Sequence, residues 1–253
     1  MDARLTMDLS GHARPGVPMG LEHLITQEKI LPFTVRAVTS DEQLGKAVSI
    51  RHRAYGRHVP ALAEQLRAPE PLDRASGCVV LLAESKLDGD PVGTMRIQTN
   101  AYRPLALEAS ATLPRRFAGR SLAEATRLGV SLGQMGHAVR TALFKAFYLY
   151  CLQAGVEWMV ITARAPLERI YDALLFEDVF PGEAPRPMKH VGNIPHRVLS
   201  FEVGSAEERW REARHPLYEF VFQTAHRDID LAIAEPFFTA APQVDEAQAA
   251  LAA

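Results

Sequence analysis

The chain has 253 residues, 47% of them hydrophobic, with 28 basic residues against 30 acidic ones. That balance fits one globular domain with an appendage and gives no electrostatic reason to expect a nucleic-acid partner. No apolar run approaches the roughly 20 residues that span a bilayer, so no transmembrane segment is expected. The stretch around Arg4, His12, Arg14, Pro15 and Pro18 lacks the apolar core of a signal peptide. Cys78 and Cys151 sit in apolar surroundings without metal-ligand spacing, and they read as reduced core residues of a cytoplasmic protein. The nine histidines are scattered, and no metal site is expected.

Residues 1–31 are rich in Gly, Pro and isolated polar residues and read as a flexible N-terminal arm. A domain over 32–204 follows. Phe33-Thr-Val-Arg-Ala-Val38 alternates as a strand does, and Ser40-Asp-Glu-Gln43 resembles a helix cap with an acidic first turn. The helix it starts carries Leu44, Val48 and Tyr55. Residues 56–77, with Pro60, Pro69 and Pro71, form a long connection of the kind that often carries function. Gly77–Ala83 and Val92–Ile97 read as a hairpin around Leu87-Asp-Gly-Asp90. A loop over 100–120 leads to a strand at Glu124, and an amphipathic helix over about 138–154 ends at Gly155. A strand at Trp158–Thr162, a helix at Pro166–Leu175 and a strand at Arg197–Val203 complete the order. Early strands joined by hairpins and later strands joined by helices imply an α/β mixed sheet, its later part parallel, with helices on both faces. Residues 205–253 read as a helical C-terminal extension, with helix positions at Leu217, Phe220 and Val221 and a disordered Ala-rich end at Gln248–Ala253.

Glu124-Ala-Thr-Arg127 places a carboxylate, a hydroxyl and a guanidinium within four residues of a buried-looking strand. Strict alternation puts Glu124, Thr126 and Leu128 on one face, with Ala125, Arg127 and Gly129 on the other. Charges in such a strand are costly unless paired. Two of them suggest a site, and an edge strand with a solvated salt bridge is the structural alternative.

With the element order, these residues resemble the GNAT N-acyltransferase fold, and within it the branch holding acyl-homoserine-lactone synthases and N-acyl amino acid synthases. The resemblance rests on Arg51 and Tyr55 four apart, Glu70 and Asp73 three apart, Arg96 ending a hairpin strand, and the Glu124, Thr126, Arg127 strand. Tyr55 stands where that branch has Phe, and Glu70 where it has Asp. Leu143–Tyr150 with Ala154-Gly155, Tyr171–Phe176 and Val191–His196 point toward the N-acyl amino acid synthases. The resemblance implies transfer of a fatty acyl group from a phosphopantetheine thioester to the α-amine of an amino acid, with no resident cofactor. It implies substrate contacts from Arg51, Tyr55, Glu70, Asp73, Arg96, Thr126 and Arg127, and a thiolate-protonating role for Tyr171. A backbone N–H near Val130 or Leu132 is where the fold supplies an oxyanion donor.

Attack on a thioester needs an uncharged amine, and Glu124, with a pKa raised by burial, suits the proton acceptor. A salt bridge of Glu124 with Arg127 or Arg96 is the structural alternative. Packing is the alternative for Tyr171. The family's phosphate loop corresponds to Ser131–Ala138, where Gly133, Gly136 and His137 stand, followed by Arg140. It has two glycines and a helix start but no Arg at its head. That favours acyl carrier protein, with one phosphate, over coenzyme A. Arg115, Arg116, Arg140 and Lys145 are candidates for docking an acidic carrier. Phe144, Phe147 and Tyr148 are candidates for an acyl pocket, or else core residues at helical spacing. The rival functions are a homoserine-lactone synthase using S-adenosylmethionine and a non-catalytic acyl-carrier or lipid-binding protein.

Overall fold

A computed structural model describes residues 27–231. It begins with a short strand, β1 (Gln27–Glu28), followed by β2 (Phe33–Ala37). Helix α1 (Asp41–Gly56) starts where the sequence predicts. The Ser40 hydroxyl accepts the Gln43 N–H at 3.2 Å, and the Gln43 side-chain oxygen accepts the Thr39 N–H at 2.7 Å, a reciprocal cap. Asp41 and Glu42 in its first turn complement the helix dipole. Leu44, Ala47 and Val48 of α1 pack on Val80 and Leu82.

The long connection after α1 is not structureless. It holds α2 (Pro60–Gln65), with proline at its first turn, and a 3-10 turn over Pro71–Arg74. Strands β3 (Cys78–Ser85) and β4 (Pro91–Thr99) form the expected hairpin. The loop after them carries two more 3-10 turns, Ala106–Ala109 and Arg115–Phe117. Strand β5 (Leu122–Val130) runs antiparallel to β4. Helix α3 (Gly133–Gln153), starting earlier than periodicity suggests, carries the chain to β6 (Trp158–Ala163), parallel to β5.

The next connection departs from expectation. A helix between strands implies a parallel crossover, but α4 (Glu168–Ala173) is only six residues long and is followed by β7 (Glu177–Asp178) and β8 (Arg186–Met188). These short strands reverse the chain, so β9 (Ile194–Glu202) lies antiparallel to β6. The main sheet has the order β7-β9-β6-β5-β4-β3-β2, with β8 paired to β9.

Residues 205–231, expected as an extension, belong to the same core. Helix α5 (Ala206–Glu212) buries Trp210 completely, its ring stacked on Phe144 at 5.6 Å. The helix expected around Leu217 and Val221 is one π-helical turn, Glu219–Gln223. Strand β10 (Thr224–Ala225) then pairs with β1, and β11 (Ile229–Asp230) adds a parallel edge to β2. The Leu31 N–H donates to the Asp228 carboxylate at 2.7 Å. The end of the expected arm is thus tied to the expected extension. Residues 1–26 and 232–253, including the Ala-rich end, lie outside the described residues. Among the described residues no helix is long and apolar enough to cross a membrane.

Candidate active site

Strand β5 organises the site through its two flanks. On one side its pairing with β6 ends at Ala125–Ile161, although β5 continues to Val130 and β6 to Ala163. The strands part there, and a cavity of about 390 Å³ fills the opening. Its walls are the far half of β5 from Ala125, the end of β6, α1, α4 and the start of α3. On the other side, pairing with β4 shifts from Thr94–Gly129 to Arg96–Thr126. Met95 therefore faces two residues, Arg127 and Leu128, and Arg127 takes the left-handed φ of 57°. This β-bulge breaks strict alternation. Arg127 joins Glu124 and Thr126 on the α1 face instead of opposing them, while Leu128 packs against the core beneath α3. Gly129 lets α1 lie close, since a Cβ there would sit 3.2 Å from the Arg51 Cα.

Five charges meet on this face. Arg51 binds both carboxylate oxygens of Asp73 at 2.9 Å. Arg96 donates to Glu70 at 3.0 Å, to Asp73 at 3.2 Å and to the Thr126 hydroxyl at 3.2 Å. Arg127 forks onto Glu70 with two bonds of 2.6 Å and donates to the His190 carbonyl at 2.9 Å. The 3-10 turn aims the acids: the Glu70 N–H donates to Asp73 at 2.8 Å. Burial raises both carboxyl pKa values, but bonds and charge from Arg127, Arg96 and Arg51 outweigh it for Glu70 and hold it below its usual range. For Asp73, bonds and charge from Arg51 and Arg96 do the same. Both acids are ionised, so the cluster is three cations against two anions. Removing one anion from such a cluster strands a buried charge. Asp73→Ala is expected to lower stability by about 3–5 kcal/mol, read as an earlier urea midpoint.

Glu124 pairs with neither Arg96 nor Arg127, and its salt-bridge alternative does not hold. It is fully buried, and one carboxylate oxygen accepts the Leu107 N–H at 3.1 Å. The other, Oε1, has no hydrogen-bond partner among the described residues. Burial pushes its pKa up to about 7 against weaker opposing effects from the Leu107 N–H and Arg96.

Of the expected site residues, Tyr55, Thr126, Arg127, Val130, Leu132, Gly133, Gly136, His137, Arg140 and Tyr171 line the cavity. Gly136 permits the turn into α3, because a Cβ there would meet the Ser131 carbonyl at 1.8 Å. The Arg140 guanidinium donates to His137 Nδ1 at 2.8 Å. Tyr171 packs edge-on against Phe176, and burial lifts its pKa to about 12. Arg51, Glu70, Asp73, Arg96 and Glu124 do not line the cavity.

Other candidates fall away. Phe144, Phe147 and Tyr148 are buried core residues and none reaches the cavity. Phe144 packs on Phe176, Phe201 and Trp210, and Tyr148 on Phe222. Lys145 is no docking residue: its ammonium is buried, donating to the Phe220 carbonyl at 2.8 Å and the Thr224 carbonyl at 2.5 Å. Burial lowers its pKa to about 7. Arg115 and Arg116 are exposed and lie outside the cavity; Arg116 bonds the Val179 carbonyl instead. The cavity's cationic residues beside Arg127 and Arg140 are Arg57 and Arg164, which sequence reading missed.

The model of the family described as "N-acyl amino acid synthase FeeM" matches residues 46–202, more than half of the chain. The chain belongs to the FeeM family. The FeeM-family match spans α1 to β9, and so contains the bulged strand, the charge cluster and the cavity. Among solved structures the chain is similar to FeeM, an N-acyl amino acid synthase from uncultured soil microbes. Identity is 15%, TM-score 0.56, and coverage 74% of this chain and 97% of that one. It is also similar to BjaI, a coenzyme A-dependent acyl-homoserine lactone synthase solved with SAM and isopentyl-coenzyme A. There identity is 14%, TM-score 0.50, and coverage 77% of this chain and 93% of that one. No curated protein sequence matched. The fold is the expected GNAT-like one, and this FeeM-family member is an acyltransferase.

Proposed function

We propose that the protein moves a fatty acyl group from an acyl carrier protein thioester to the α-amine of an amino acid. The observation that carries this reading is the unpartnered Glu124 oxygen, with a pKa near 7, beside a cavity whose wall holds Arg127. Glu124 takes the proton of the incoming ammonium, and the freed lone pair attacks the thioester carbonyl. A backbone N–H at the parted end of β5, near Val130 or Leu132, steadies the tetrahedral oxyanion. The C–S bond then breaks, and Tyr171, which keeps its proton, donates it to the departing sulfur. Arg127 holds the acceptor carboxylate; Arg51, Arg96, Glu70 and Asp73 hold Arg127 and its loop. The acyl chain lies along apolar residues of the cavity lining, Tyr55, Val59, Leu62, Ile170 and Val191 among them. The reaction belongs in the cytoplasm, where carrier thioesters are made available to it.

Arg57, Arg140 and Arg164 at the cavity, with Leu132 at 71% exposure beside them, suit an acidic carrier carrying one phosphate. The acyl carrier thioester is expected to exceed acyl-coenzyme A in kcat/KM at matched chain length. Arg57→Glu and Arg140→Glu are each expected to lower that value several-fold, and added salt to lower it in wild type. An equal or higher, salt-insensitive kcat/KM with acyl-coenzyme A would reverse the donor assignment. Mass spectrometry of lipids from an expressing host tests the whole reading. A new N-acyl amino acid is expected; an acyl-homoserine lactone formed only with S-adenosylmethionine would replace it with the lactone synthase.

A further inference from the structure

The assignment of Glu124 as base leaves a gap, because the carboxylate is fully enclosed and does not line the cavity where the amine must sit. One side chain spans that gap. His190 lines the cavity, and its Nε2 lies 3.8 Å from the unpartnered Glu124 Oε1 and 3.2 Å from the Thr162 hydroxyl. Its other nitrogen, Nδ1, is buried and has no hydrogen-bond partner among the described residues. Arg127, through its bond to the His190 carbonyl, fixes the backbone that carries the ring.

Resting on the proposed amide-forming reaction, we propose that His190 relays the proton from the substrate amine to Glu124. With its own proton on Nε2, the neutral ring offers the Nδ1 lone pair, buried in the free protein, to the ammonium once substrate binding has turned the ring toward the cavity. The amine N–H bond breaks as Nδ1–H forms, and the Nε2 proton passes to Glu124 Oε1. The amine keeps the electron pair and attacks the thioester carbonyl; as the C–S bond breaks, Tyr171 gives its proton to the sulfur and takes the second amine proton in its place, and Glu124 afterwards returns the first proton to solvent through His190. The gap of 3.8 Å is about 1 Å beyond a strong hydrogen bond, and catalytic contacts of this kind tighten when substrate binds.

Neutrality of the ring is what makes it a relay. Burial, followed by the positive charges of Arg127, His196 and Arg96, pushes its pKa down to about 4, against a smaller opposing effect from Glu70. An imidazole that stays neutral can accept at one nitrogen while donating at the other. Thr162 and Glu124 face Nε2, and among the described residues no lysine or further acid is bonded to the ring.

The test uses the full chain with an acyl carrier thioester and its best amino acid. His190→Ala is expected to lower kcat about 100-fold with the donor KM unchanged, and added imidazole to restore part of the loss. His190→Asn, which retains a hydrogen-bonding group near Thr162, is expected to fall as far. The Glu124→Gln, His190→Ala double variant is expected to be no slower than Glu124→Gln alone, as for residues acting in series. Near-wild-type turnover of either His190 variant overturns the relay, and so do losses that multiply in the double variant. A wild-type protein that forms no amide from any amino acid overturns the proposed function, and the relay with it. Active wild type with His190 dispensable overturns the relay alone.

Discussion

Glu124→Gln is expected to lower the acyl-transfer rate by roughly 100-fold or more while raising stability at neutral and higher pH. The glutamine keeps the shape of the carboxylate but cannot take a proton, and a positioned base is worth about that much. Wild-type kcat is expected to rise with pH through about 7 as Glu124 loses its proton, and that limb should vanish in the variant. The stability effect has the opposite origin. The folded carboxyl titrates near 7 and the unfolded one near 4.5, so between those values the folded state binds more protons and stability falls as pH rises. Above about pH 7 the buried charge costs roughly 3 kcal/mol, which glutamine does not incur. The variant should therefore unfold later than wild type at about pH 8, and at the same urea concentration at about pH 4. A folded variant with near-wild-type turnover would remove Glu124 from the reaction. A variant no more stable at pH 8 would show that the carboxylate finds a partner that the structure lacks.

Glu124 and the charge cluster beside it stood out in the sequence because their signals are local. A Glu-x-Thr-Arg strand after an Arg-ended strand, with an acidic pair in the preceding loop, names the residues of the cluster within one stretch of chain. Pairing could not be read there. The bulge at Arg127 arises from the register of β5 against β4, not from anything in Thr-Arg-Leu, and it moves the arginine across the sheet. Burying the guanidinium against Glu70 offsets the left-handed backbone that the bulge requires. His190 was invisible for a related reason. It sits in a 3-10 turn, Lys189–Val191, with no periodicity, and only the β8–β9 reversal brings it under Glu124. The aromatic run of α3 misled in the opposite way. Helical spacing identifies a buried face without saying what covers it, and Phe144 is covered by Trp210, from a segment expected outside the domain. The same segment takes Lys145, whose ammonium closes three contacts to residues 220–226 and so pins the chain that periodicity left as an appendage.

An amino acid acceptor is expected to outpace the amine made by removing its carboxyl by roughly 100-fold or more in kcat/KM. The reason lies in the charge cluster. Arg51 and Arg96 are bonded to Asp73 and Glu70 and do not line the cavity; Arg127 does. Its Nε and Nη2 are committed to Glu70 and the His190 carbonyl, but Nη1 is buried without a partner among the described residues. Three guanidinium groups against two carboxylates leave one positive charge uncompensated; Arg51 Nε and Arg127 Nη1 are both buried donors without a partner among the described residues, and of the three clustered arginines only Arg127 lines the cavity. In the proposed reaction a carboxylate next to the reacting amine would supply the missing charge and acceptor. An amine without it leaves the guanidinium desolvated and unpaired, and sites built to hydrogen-bond a substrate group reject analogues lacking it by large factors. Arg127→Lys should lose most of the discrimination, since a lysine ammonium cannot serve Glu70 and the acceptor together as a planar fork does. The measurement is a competition with one acyl carrier thioester and paired acceptors, tyrosine with tyramine and tryptophan with tryptamine among them. Equal rates within each pair would mean that the uncompensated charge of Arg127 serves the donor phosphate or the fold, and the acceptor carboxylate would then have to be sought elsewhere in the cavity.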